Sequence, residues 1–128
     1  MMWTVSAITS VHDAQIVTLE REDQTLSGRW STKAIPLLGT MTYAEIDIDV
    51  VMDDIDREEV VETKSRSALS GLNNIIIGLV ESVDDDLMHF FRISDDCLVM
   101  IQSNTTKLCV NTFYRLIVPI NSLSIHPC

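Results

Sequence analysis

Residues 42–50, TYAEIDIDV, alternate without a fault: Ala44, Ile46, Ile48 and Val50 fall on one face, Glu45, Asp47 and Asp49 on the other. A period of two means a strand with one side in a core and the other in water. The apolar side demands a sheet to pack in, and the polar side is a row of three carboxylates. With about 3.3 Å of rise per residue, neighbouring carboxylates in that row stand about 7 Å apart.

The same period extends in both directions. Trp3, Val5 and Ala7 alternate with polar positions, and a second run from Ala14 to Arg21 follows a break at His12-Asp13, so a strand pair opens the chain. Glu22, Asp23 and Gln24 make a polar turn before a short strand over Leu26–Trp30, weakened by Gly28. Ser31–Gly39 holds Pro36 and reads as a loop or edge. Toward the C-terminus, Ile75–Val83, Leu87–Ile93, Cys97–Ser103 and Lys107–Tyr114 are apolar and aromatic runs separated by acidic or polar turns, the pattern of an antiparallel meander. A hairpin at Ser103–Thr106 would set Gln102 opposite Lys107 and Cys97 opposite Thr112, out of disulfide reach of Cys109.

Between these strand-rich parts lies an acidic stretch. Asp56 stands three residues before Glu59, a capping-box spacing, with Lys64 and Arg66 later and Gly71 as a stop. This predicts a helix over 57–70 with Val60, Val61, Ala68 and Leu69 as its apolar stripe. Two alternatives fit the same residues: a strand over Glu59–Thr63, and a helix running on to Leu79. The expected fold is α+β and strand-rich, an antiparallel curved sheet or partly closed barrel with one main helix near 57–70.

The chain has 128 residues and a mass of 14.4 kDa, enough for a single domain over 1–128 with one core. Hydrophobic residues make up 46% and mean hydropathy is +0.19, well outside the range of disordered chains. The net charge is −10, and nine acids against the single Arg57 between Glu45 and Glu62 supply −8 of it. Nucleic acid and anionic membranes are therefore poor partners, because binding them needs a basic stripe. The longest apolar run, Ile75–Val80, falls far short of the roughly 20 residues of a membrane helix. The first residues, MMWTVSAITSVHD, lack a basic, then apolar, leader. Together with three widely spaced cysteines, read as core thiols at Cys97 and Cys109 and a terminal thiol at Cys128, this points to the cytoplasm.

No nucleophile elbow, phosphate-binding glycine loop or metal-ligand spacing occurs, and His12, His89 and His126 lie in different segments. His89, in LMHFFR, reads as a core histidine. Asp54-Ile-Asp56 resembles the start of a calcium loop, but Glu59 stands where that loop requires glycine, so no metal or cofactor is expected. What remains is the acidic cluster. A row of like charges repels itself unless solvent or a cationic partner offsets it, and a basic protein is the partner such a row would steer. The expected function is stoichiometric binding without catalysis: a toxin inhibitor of the immunity or antitoxin kind, covering the basic active-site groove of a nuclease. Glu45, Asp47, Asp49, Asp53, Asp54, Asp56 and Glu59 are its candidate contacts. The alternative is an adaptor subunit whose acids only confer solubility.

Overall fold

The computed structural model describes residues 2–128 and consists almost wholly of strands: β1 (Met2–Val11), β2 (Ala14–Arg21), β3 (Gln24–Trp30), β4 (Met41–Ile48), β5 (Asp56–Glu59), β6 (Arg66–Ser70), β7 (Asn73–Val83), β8 (Met88–Ser94), β9 (Cys97–Gln102), β10 (Phe113–Pro119) and β11 (Leu123–Pro127). The helical content is two single turns of 3₁₀ helix, Met52–Asp54 and Ile120–Ser122.

Five strands close a barrel. β1 pairs antiparallel with β2 and β4, β2 with β3, and β4 with β11, and β11 then lies parallel to β3 through Ser124–Arg29 and Ile125–Trp30. A bulge between Val5 and Ala7 bends β1 into the ring. Closure depends on Gly28, because a Cβ there would lie 2.4 Å from Leu123 Cδ2 and 2.5 Å from the Leu123 carbonyl oxygen. The glycine read as a weak point in a strand is the place where two backbones meet.

The remaining strands continue the same sheet, joined to the barrel where β6 pairs parallel with β3 at Gln24–Ser67. β10 runs between β5 and β7; the other edge of β7 pairs first with β6 and then with β8, and β9 lies beyond β8. The buried Asn74 pegs the two parts together: its side chain accepts the Ser27 N–H at 2.8 Å and donates to the Ser27 carbonyl at 2.8 Å. One core, including Trp3, Leu19, Leu26, Ile76, Phe91, Leu116 and Ile125, runs through both.

Several expectations are corrected. The fold is not α+β, and the barrel is closed rather than partial. There is no helix over 57–70: Asp56–Glu59 is an edge strand whose backbone pairs with β10, Arg66–Ser70 is β6, and Gly71, with φ +59°, turns the chain from β6 into β7. The supposed stripe is not a buried face, since Val61, Ala68 and Leu69 are exposed, and an amphipathic helix with nothing to pack against gains little. The β-branched Val60, Val61 and Thr63 favour extended backbone as well. Neither does Ser103–Thr106 form a hairpin: β10 begins at Phe113 and takes its place between β5 and β7, so Gln102–Lys107 and Cys97–Thr112 are not cross-strand pairs. Cys97 is buried as expected, whereas Cys109 is exposed.

Candidate functional site

β4 carries out its alternation in full. Ala44, Ile46 and Ile48 enter the core; Tyr43, Glu45, Asp47 and, just past the strand, Asp49 face solvent. The row is not left to repel itself. Asp47 lies 2.7 Å from His126 Nε2, and Asp49 lies 2.5 Å from Arg29 Nη2 while accepting the Ser124 hydroxyl. These partners come from β11 and β3, which closure of the barrel brings alongside β4. Glu45 has no such partner among the described residues.

The other predicted contacts lie on different elements. Asp53, in the first 3₁₀ turn, is taken up inside the chain: it accepts the Ser103 hydroxyl at 3.0 Å, the Asn104 N–H at 2.7 Å and the Thr105 N–H at 3.2 Å. The Thr106 hydroxyl, then the Asn104 amide, with Ser103 and Thr105, hold its carboxyl well below the usual carboxylate range. Asp54 is exposed beside it. Asp56 and Glu59 stand on β5, opposite Ile117 and Tyr114 of β10, and Glu58 between them lies 2.6 Å from Arg115. Because β5 is an edge strand, its acids also discourage strand addition from another chain.

Apolar side chains that sequence reasoning passed over lie next to the β4 row. Ile35, Leu37, Leu38, Met41 and Tyr43 are 77%, 62%, 66%, 64% and 55% exposed, five of the twelve exposed large hydrophobic residues among those described, within nine positions. They are displayed on a pinned backbone. Leu37–Thr40 forms a turn closed by the Thr40 N–H on the Leu37 carbonyl at 3.2 Å, with Gly39 at φ +79°. Val5 of β1 holds that turn through two bonds, from the Gly39 N–H at 2.8 Å and to the Thr40 carbonyl at 2.9 Å. Trp30 Nε1 donates to the Ala34 carbonyl at 2.8 Å. The available signal was AIPLLGTM itself, a run too apolar for an ordinary solvated loop.

On its other flank, β4 borders a groove of about 370 Å³ whose lining includes Glu45, Asp47, Asp96, Leu98 and Met100. Leu98 and Met100 point outward from β9 and are exposed, while Asp96 pairs with Arg21 at 2.6 Å. Burial raises the Cys97 thiol at the groove wall to about 11, so it stays protonated near neutrality.

Comparison with known protein families, with curated proteins and with solved structures finds no match to this chain. Among the described residues, no group of three or more His, Cys, Asp or Glu side chains is placed to hold a metal ion, and no helix is long and apolar enough to cross a membrane. The face built by the Ile35–Thr40 loop, β4 and β9 offers carboxylates and apolar contact area, the chemistry of recognition.

Proposed function

We propose that this protein binds a basic protein partner in the cytoplasm, one to one, through the outer face of β4, and that it acts as an inhibitor of a toxin such as a nuclease by covering its cationic active-site groove. One observation carries the reading: five exposed apolar side chains, Ile35 to Tyr43, run directly into the exposed acids Glu45, Asp47 and Asp49. An apolar centre with a charged border is how protein interfaces combine affinity with register. The net charge of −10 adds long-range attraction for a cationic partner.

The test is capture by the immobilised protein from its native lysate, followed by reconstitution with the purified partner. A basic protein should be retained at low salt and its activity blocked at equimolar ratio. Glu45→Lys with Asp47→Lys should abolish capture through charge, and Leu37→Ser with Leu38→Ser should weaken it at every salt concentration. Capture that survives both changes would sink the proposal. A second reading, an adaptor within a larger assembly, draws on β9, a strand of uncharged residues that among the described residues pairs only with β8. It predicts association that salt leaves unchanged and that Met100→Pro disrupts.

A further inference from the structure

β7 is apolar on both faces. Ile76 and Val80 point into the core, whereas Ile75 and Ile77 point to the other side of the sheet. A strand apolar on both faces is normally covered on both. Here the outer side carries a groove of about 560 Å³ lined by Val60, Ala68, Ile75 and Ile77 and, among the charged residues, by Lys64, Arg66 and Arg115; Ile77 is already buried at its base, and Ile75 is half-buried. Asp23 and Glu62 line it too.

Strand register orders this surface into two rows. Arg66 of β6 and Arg115 of β10 both stand opposite Ile77, so two guanidinium groups flank one isoleucine. The adjacent row runs through Ala68, Ile75 and Ile117 and ends at Asp56 of β5, as the arginine row ends at Glu58. Residues opposite each other in antiparallel pairs share a face, and three adjacent strands set the two arginine backbones about 10 Å apart. Three of the nine cations of a chain with net charge −10 thus gather over an apolar floor. Each already has a carboxylate: Lys64 pairs with Asp23 at 3.3 Å, Arg66 with Glu62 at 3.0 Å and Arg115 with Glu58 at 2.6 Å. These are solvent-exposed pairs of little net stability, and each guanidinium keeps further N–H donors for another anion.

We propose that this groove is a binding site for a small amphipathic anion, its carboxylate or equivalent head between Arg66 and Arg115 and its apolar body over Ala68 and Ile75. The volume lies within the roughly 300–1,000 Å³ typical of small-molecule sites. The site is independent of the protein-binding face, so either proposal can fail without the other.

Titration of decanoate into the ¹⁵N-labelled full chain tests it, read by amide shifts. Shifts should concentrate at 60–68, 75–77 and 113–117, and decanol should bind more weakly because it lacks the charge. Arg66→Gln with Arg115→Gln should weaken decanoate about tenfold, the effect of losing one to two charge-assisted bonds. Both side chains reach solvent, at 59% and 43% exposed, so a well-dispersed spectrum is expected to show that the variant still folds. No saturable shifts, shifts confined to Ile35–Tyr43, equal binding of decanol, or unchanged affinity in a folded double variant would each overturn the assignment.

Discussion

His89 shows how much one side chain can be bound by its surroundings. It has no solvent exposure, its Nδ1 lies 3.0 Å from the Leu87 carbonyl, and its Nε2 accepts the Leu108 N–H at 3.0 Å. Those partners require the neutral ring with the proton on Nδ1, donated to Leu87. Burial, only partly opposed by the Leu87 bond, pushes its pKa below the ordinary 6.5. The folded state therefore refuses a proton that the unfolded chain accepts, so this contribution to stability is full above about pH 6.5 and is lost as pH falls below it. Urea midpoints should fall between about pH 7 and pH 5, less steeply in His89→Phe. That substitution should also cost roughly 1–3 kcal/mol at neutral pH, because the buried Leu108 N–H loses its partner, whereas the Leu87 carbonyl keeps the Ser103 N–H at 3.0 Å. LMHFFR announced a core histidine by its apolar neighbours, but not the loop amide that Nε2 receives, since Leu108 is nineteen residues away.

Among the elements, closure of the barrel by β11 makes the sharpest demand. Gly28→Ala sets a methyl against Leu123 backbone and side chain, and should cost about 3 kcal/mol, read as a lower denaturation midpoint. Nothing local in LSGRW distinguishes this glycine from a tolerated one; the requirement exists only because Leu123, ninety-five residues later, arrives on top of it. Alternation made β1, β2 and β4 legible, because a half-buried strand writes its own period, and β-branched and aromatic runs bounded by polar turns did the same for β7, β8 and β9. β5 and β6 were not. Their residues carry helix-like end charges, and the decision between helix and strand rested on whether β10 would come to pair with Asp56–Glu59. It does so because Tyr114, Leu116 and Val118 enter the core and fix β10 in the middle of the sheet. The fourth arm of the expected meander fails for a related reason: Ser103–Thr106 is committed to the Asp53 carboxylate instead of to a hairpin.

For the molecule as a whole, the ring of five strands and the Asn74 peg decide how stability is shared. Removing Leu123–Cys128 would open the ring, strip β4 of its longer partner and take away the Ser124 and His126 contacts of the acidic row. The truncated chain should lose its dispersed amide spectrum and its cooperative thermal transition, with the barrel and the adjoining strands failing together because one core runs through both. The sequence by itself determined the strand-rich character, the inward face of β4 and the concentration of charge between Glu45 and Glu62, because each follows from local alternation and composition. Only the tertiary structure decided that the barrel closes, that Asp47, Asp49 and Asp53 meet partners within the chain, and that Ile35–Tyr43 flanks the remaining acids while Arg66 and Arg115 bracket Ile77. The physical reason is that those arrangements are made by strands far apart in sequence, whose pairing is set by burial of a shared core and leaves no local trace.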